Sequence, residues 1–205
     1  MLRRSAIIAS FLLFAGVTNG MAEDSPSASS QEQAPGWTEF QSPERGFAIS
    51  FPGAPKTSSV SVAGQNPLVQ YDYTVGVGEN TIYQVVAFEY PTGKAPNPPQ
   101  PEYFVKLVTA YAKGSDARLR KKGAATIAGK EGYEAIADDN KGKLVHLVDV
   151  VPGGNDRIYM LVTAGPKGHV ASDDAQHFRD SFKLVGDQPA TATAPDSTGT
   201  TSTTP

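Results

Sequence analysis

Alternating apolar and polar side chains predict β-structure for most of the chain between residues 37 and 185. The clearest case is Phe47–Phe51, FAISF, in which three large apolar side chains alternate with Ala48 and Ser50. Pro52 follows at once, and because proline has no N–H to donate to a ladder, pairing is expected to end there. After a short crossing, further strands are predicted at 58–62, 68–75, 81–90, 117–121, 124–128, 132–138, 144–151 and 157–164, with 37–40 before them.

Two segments have the spacing of amphipathic helices. The first begins at Pro101, a residue favoured at the first helical position, and has apolar side chains at i, i+3, i+4 and i+7 from Phe104. It is expected to end at Gly114, a residue suited to a C-cap. The second begins after Ser172, a good N-cap, with two aspartates in its first turn. Its core-facing side chains are predicted to be Ala175, Phe178 and Phe182.

The order of these elements is strands, helix, more strands and a closing helix. That order predicts an α+β fold in which helices pack on a mostly antiparallel sheet, and it differs from the strand–helix alternation of a doubly wound parallel sheet. Residues 152–156, PGGND, separate two strong strands and therefore predict a hairpin between them.

Residues 1–22 have the layout of a secretory signal peptide: Arg3 and Arg4, an apolar run over 6–17, and small residues Gly20 and Ala22 before a cut. A membrane-spanning helix needs roughly 20 apolar residues, so no stable membrane anchor is expected after cleavage. We therefore expect a periplasmic or secreted protein.

Two polar segments are expected to flank a single folded domain at 37–186. The linker 23–36 and the Thr/Ala/Pro-rich tail 187–205 lack large apolar side chains. Such segments cannot bury enough surface to offset the entropy of ordering, so both are predicted to be disordered.

The charge and the amino-acid composition argue against several classes of function. The net charge is −3 and would become −5 after cleavage, because the first 22 residues carry two arginines and no acid. A mildly acidic chain is poorly suited to binding nucleic acid. The short basic run 118–122, RLRKK, is better explained as an edge strand whose charges discourage pairing with other chains. The chain has no cysteine, which excludes disulfides, thiolate catalysis and Cys-ligated metals.

The opening and closing motifs resemble the PsbP-like fold, which also includes the Mog-type proteins. The first is an aromatic, Ser-x-Glu-x-Gly-Phe-x-Ile-x-Phe-Pro pattern from Trp37 to Pro52; the second is a tyrosine strand at 157–162 followed by Phe178, Ser181, Phe182 and Leu184. The resemblance implies an antiparallel sheet sandwiched between helices and a non-enzymatic binding or assembly role. No residue-level motif for a metal or for docking to a photosystem is present to carry over.

Binding is the leading functional hypothesis. Tyrosines suit a boundary where the ring is buried and the hydroxyl is wet. We therefore predict a groove between the first helix and the sheet that binds an unidentified protein or a small apolar ligand. Its predicted lining residues are Tyr71, Tyr73, Tyr103 and Tyr111.

Two other functions stay open. One is a hydrolase-type enzyme with a site assembled from separated residues, for which His146 and Asp149 are the best candidates; the other is a structural or stress-protective envelope protein. No catalytic motif, metal site or cofactor is predicted. The Asp-rich segment 138–143 has the wrong spacing for a calcium loop, and the Gly-x-Gly at 76–78 lacks a following helix, so both predict hairpin turns.

Overall fold

A computed structural model describes residues 36–63, 67–95, 101–154 and 156–185. The predicted signal peptide, the tail at 187–205 and all of the linker except Gly36 lie outside the described residues.

The described residues form ten strands and two α-helices. In chain order these are β1 (Thr38–Ser42), β2 (Phe47–Phe51), β3 (Lys56–Val62), β4 (Leu68–Val77), β5 (Thr81–Glu89), α1 (Pro101–Gly114), β6 (Ala117–Ile127), β7 (Lys130–Asp139), β8 (Leu144–Pro152), β9 (Arg157–Pro166), α2 (Asp173–Asp180) and β10 (Lys183–Leu184). Short 3-10 turns lie at Pro43–Arg45 and His169–Ala171.

Seven strands form one antiparallel sheet, in the order β3-β4-β5-β9-β8-β7-β6. The prediction of an α+β fold with a mostly antiparallel sheet is therefore confirmed. The predicted hairpin between β8 and β9 is present and pairs Pro152 with Ile158.

A second, three-stranded antiparallel sheet, β1-β2-β10, packs with α2 on one face of the large sheet. Phe47, Ile49 and Phe51 of β2 are fully buried in the core on this face. Burying a side chain of that size stabilises a fold by about 1.5–3 kcal/mol. Strand β2 ends at Phe51, as the proline after it predicts.

Helix α1 covers the opposite face of the large sheet. Phe104, Leu107, Val108 and Tyr111 are buried there, so the predicted apolar stripe is confirmed. Ser172 also acts as predicted, because its Oγ accepts a hydrogen bond from the backbone N–H of Ala175 at the start of α2. Of the helices that the structure describes, neither is both long and apolar enough to span a bilayer.

The structure differs from the predicted strands in β6 and at the ends of several other strands. Residues 117–121 and 124–128 are not two strands: Ala117–Ile127 is one strand with an irregular register between Leu119 and Lys121. A β-bulge keeps a strand paired across a change of face, so the alternation breaks although the strand continues. Strand β3 begins at Lys56, two residues earlier than predicted.

Candidate functional site

A pocket of about 390 Å³ lies where the small sheet meets β3 and β4 of the large sheet. Its walls combine aromatic rings, hydroxyl groups and two charged residues that are adjacent in sequence, Glu44 and Arg45. The lining residues are Phe40, Glu44, Arg45, Thr57, Ser58, Ser59, Tyr71 and Tyr73.

Strand register explains why these residues meet. Tyr71 and Tyr73 are two apart on β4, so both side chains lie on the same face of the sheet. Ser59 pairs with Tyr71 and Thr57 with Tyr73, which places the β3 residues beside them. The remaining wall comes from β1 and from the 3-10 turn at Pro43–Arg45, which ends at Gly46 with φ 73°, a conformation that favours glycine.

Arg45 is held in place from three sides. Its Nη1 donates to Glu89 Oε2 at 2.6 Å. Its guanidinium carbon lies 3.6 Å from the centroid of the Tyr71 ring, within the range of a cation–π interaction. Its backbone oxygen accepts a hydrogen bond of 2.5 Å from the Tyr159 hydroxyl. The guanidinium is therefore paired within the chain as part of the wall, although Glu89 is also 3.4 Å from Arg157 Nη2 and is shared between the two arginines.

A second polar chain runs along the pocket through Ser42. Ser42 Oγ donates to Glu44 Oε1 at 2.6 Å and lies 3.2 Å from the hydroxyl of Tyr73. Burial raises the pKa of Tyr73, with the Ser42 hydrogen bond opposing that shift. The Tyr73 hydroxyl is thus neutral at physiological pH. Because Ser42 donates its one proton to Glu44, Tyr73 donates to Ser42 Oγ and keeps its lone pairs to accept a hydrogen bond.

The four predicted groove tyrosines do not line one groove. Tyr71 and Tyr73 pack on the face that carries the small sheet, and Tyr103 and Tyr111 belong to α1 on the opposite face. Tyr111 is buried, and Tyr103 packs edge-on against Tyr90 with 6.3 Å between the ring centroids. Burial raises the pKa of Tyr103 to about 12. The structure therefore brings together two of the four, in a pocket between the two sheets and away from α1.

His146 and Asp149, the pair weighed for an enzyme, do not meet either. They are three residues apart on β8, so their side chains lie on opposite faces of the sheet. His146 is buried under α1, and its Nδ1 lies 2.7 Å from the Tyr111 hydroxyl. Burial lowers the pKa of His146, opposed by Asp139 and Asp138.

Asp149 belongs to a charge cluster under α2 that the sequence pattern does not reveal. Its side chain is 1% exposed. Arg179 Nε donates to its Oδ2 at 2.5 Å and Arg179 Nη2 to its Oδ1 at 3.0 Å. The same Nη2 donates to Glu134 Oε2 at 2.9 Å. Burial raises the pKa of Asp149 and the hydrogen bonds from Arg179 oppose that rise. The one sequence signal is a lone acid within the apolar strand Leu144–Pro152.

Both segments considered as ion or nucleotide loops are hairpin turns. Between β7 and β8 the carboxylate of Asp139 accepts the backbone N–H groups of Lys143 and Leu144, and Gly142 has φ 66°. Between β4 and β5 the turn contains Gly78 with φ 58°. Within the described ranges, no group of three or more His, Asp and Glu side chains is placed to hold a metal ion.

Sequence reasoning misses most of the pocket. It finds Tyr71 and Tyr73, but the contributions of Phe40, Glu44 and Arg45 depend on how β1 and the 3-10 turn fold over β4. The signal that was present is the polar composition of 56–59, KTSS, beside an aromatic strand.

A solved structure shares this fold. The solution structure of cyanobacterial PsbP (CyanoP) from Synechocystis sp. PCC 6803 matches with a TM-score of 0.50 and 14% identity, over 78% of this chain and 98% of that one. A crystal structure of a protein from Bacteroides thetaiotaomicron VPI-5482 matches with a TM-score of 0.41 and 13% identity, over 73% of this chain and 48% of the other. No protein-family model and no curated protein matches the sequence. The PsbP-like fold expected from the sequence motifs is confirmed.

Proposed function

We propose that the protein is a non-enzymatic binding module that holds an apolar or aromatic group of a partner protein or small ligand in this pocket. The observation that carries the proposal is the pocket's own composition. Three aromatic rings, those of Phe40, Tyr71 and Tyr73, stand beside hydroxyl groups and the carboxylate of Glu44 in a cavity of about 390 Å³. Apolar walls with a few placed polar groups are typical of ligand sites.

The preorganised wall supports binding. Arg45 is fixed by Glu89, Tyr71 and Tyr159, and Tyr73 is tied to Ser42. Side chains that are ordered before binding lose little conformational entropy when a ligand arrives. We therefore expect a ligand to enter without rearranging the strands.

The distribution of titratable groups favours binding over catalysis. The best candidates for proton transfer, His146 and Asp149, lie under different helices on opposite faces of the sheet. The titratable groups that line the pocket are Glu44, Arg45, Tyr71 and Tyr73, and no histidine is among the lining residues. A carboxylate beside neutral hydroxyls suits recognition of a ligand through hydrogen bonds and charge.

We propose further that the protein works outside the cytoplasm, after removal of residues 1–22. The support is the order of charges, apolar run and small residues at the N-terminus. N-terminal sequencing of the protein from its native cells should give Glu23 as the first residue. A chain that still begins at Met1 in all fractions would contradict export by this route.

The binding proposal is tested by capturing the mature protein from its native envelope and identifying what co-elutes by mass spectrometry. Ser59→Trp puts a large ring at the pocket wall, and Ser61→Trp puts the same ring on the same face of β3, outside the pocket lining. We expect wild type and Ser61→Trp to retain a ligand that Ser59→Trp loses. Retention of nothing by all three would favour the structural or stress-protective alternative.

A further inference from the structure

We propose that β3 binds an extended peptide segment carrying a lysine or arginine, which adds to the large sheet as an extra strand and places a side chain in the pocket. The inference rests on the proposed function, because it names the chemistry of the partner of that same pocket.

The first support is an open edge. In the described part of the sheet β3 pairs with β4 on one side and with no strand on the other. Its residues from Lys56 to Ser61 are all exposed. In an antiparallel ladder every second residue of an edge strand turns its N–H and C=O outward. β3 therefore presents backbone donors and acceptors that a further strand can pair with.

The second support is the contrast between the two edges of the sheet. The far edge, β6, carries Arg118, Arg120, Lys121 and Lys122 and a break in register. Charged side chains and bulges are the devices that stop edge strands from pairing with other chains. Within β3, residues 57–62 have no charge, no proline and a regular register. One edge is thus guarded against pairing and the other is not.

The third support is continuity between the edge and the pocket. Thr57 and Ser59 lie on the same face of the sheet as Tyr71 and Tyr73 and line the pocket with them. Side chains alternate along a strand, so one set of an added strand's side chains would lie on this face. One of them can then enter the cavity against the rings of Phe40 and Tyr73.

The charges of the pocket residues and of the whole chain favour a basic peptide. Arg45 and Arg157 both pair with Glu89, at 2.6 Å and 3.4 Å, and Arg157 is not among the residues that line the pocket. Glu44 accepts a hydrogen bond from Ser42 but, among the described residues, forms no ion pair. The pocket therefore offers one carboxylate without a paired cation, and the whole chain is acidic with a net charge of −3. Both features favour a basic side chain on the partner.

A second copy of this chain fits the edge less well than a peptide. Pairing β3 with β3 would use a strand of seven residues, about 24 Å long. A stable protein interface buries about 800 Å² per partner, well beyond one short strand pair. A peptide needs no such area, since its affinity comes from the strand ladder and one anchored side chain.

The test uses a nine-residue synthetic peptide, TVTFTKTVT, with blocked ends and a fluorescent label. Val, Phe and Lys share one face of this peptide when it is extended. Anisotropy titrations of the mature protein should show saturable binding, and replacing Lys by Glu in the peptide should weaken it at least tenfold. Hydrogen exchange should slow at alternate amides of residues 57–61, the result specific to strand addition.

Two variants change residues that line the pocket, and a third changes the opposite edge of the sheet. Ser59→Trp is expected to weaken the peptide at least tenfold, and Glu44→Gln should abolish the preference for Lys over Glu. Thr126→Trp, an exposed substitution on the guarded edge, should leave binding unchanged. Each variant is first checked for wild-type thermal unfolding, so that a lost fold is not mistaken for a lost site.

A small aromatic probe, p-cresol, distinguishes the two proposals by chemical-shift changes at Phe40 and Tyr71. If p-cresol binds but the peptide neither binds nor protects β3, the peptide proposal is overturned and the binding pocket stands. If neither binds, both are overturned. A β3-dependent dimer in sedimentation velocity, or equal affinity for the Lys and Glu peptides, would also overturn the proposal as stated.

Discussion

The hydroxyl of Tyr111 lies 2.7 Å from Nδ1 of His146 and joins α1 to the middle of the large sheet. Both side chains are buried, and Nε2 of His146 has no hydrogen-bond partner in the described structure. Burial raises the pKa of Tyr111, so the phenol stays neutral. The pair is a neutral polar contact in an apolar interface, and it tolerates a proton on His146 poorly.

This contact predicts how stability depends on pH. Burial lowers the pKa of His146 below the value near 6.5 expected in the unfolded chain, despite the nearby Asp139 and Asp138. The unfolded chain therefore takes up the proton first as the pH falls. The free energy of unfolding is therefore unaffected by the protonation of His146 above about pH 6.5, and it falls as the pH drops below that value.

The measurement is the free energy of unfolding in urea between pH 7.5 and pH 5. His146→Gln should flatten the decline of the wild type. Burial also lowers the pKa of His169, so His169→Gln should flatten it further when combined with the first change. An unchanged slope in His146→Gln would show that the buried imidazole is not the cause.

The Asp149–Arg179 pair predicts an asymmetric response to mutation. Arg179→Met leaves a carboxylate that is 1% exposed without its cation, and should lower the free energy of unfolding by about 3 kcal/mol. Adding Asp149→Leu removes that uncompensated charge and should recover most of the loss. Urea denaturation at pH 7 measures both.

Arg120→Met is the matched control for that pair. Arg120 bridges Asp138 at 3.1 Å from a side chain that is 58% exposed, so its loss should cost less than about 1 kcal/mol. If Arg179→Met cost no more than Arg120→Met, the carboxylate of Asp149 would have to be solvated in the native state.

Two glycines on neighbouring strands predict opposite tolerance to alanine. A Cβ at Gly132 of β7 would clash with the backbone oxygen of Val150 and lie 2.9 Å from Ile127 Cδ1. A Cβ at Gly123 of β6 would meet nothing within 4 Å. Gly132→Ala should cost about 1–3 kcal/mol, and Gly123→Ala should stay within about 0.5 kcal/mol. Similar thermal midpoints for the two variants would contradict the packing of β7 on β8.

The cap of α2 gives a smaller expected effect. Ser172 Oγ accepts the N–H of Ala175 at 3.3 Å, so Ser172→Ala should lower the free energy of unfolding by about 1 kcal/mol. Ser61→Ala, at an exposed position of β3, serves as a control with no expected change. Equal stability of the two variants would mean that water replaces the cap without loss.

Local chemistry is enough to predict most of the elements. The alternation in Phe47–Phe51, the proline after it and the stripe on α1 act over a few residues, and the structure reproduces them. The bulge in β6 is not predicted, because a change of face has the same sequence pattern as the end of one strand and the start of another.

The pocket cannot be predicted from the sequence, for a different reason. Period-two spacing places Tyr71 and Tyr73 on one face, but it does not say which face α1 covers. That depends on the path from β5 to α1 and on where β1 and β2 dock. The sequence therefore predicts α1 for Tyr103 and Tyr111 but does not predict that α1 lies on the face opposite Tyr71 and Tyr73.

The unequal edges of the large sheet also set the stoichiometry of self-association through that sheet. A polymer grows only when each added unit presents a fresh growing end. Here two copies joined through β3 would leave β6 outermost at both ends, with its arginines, lysines and irregular register. Growth would terminate at two, so even at high concentration this sheet is built to stop short of a fibre.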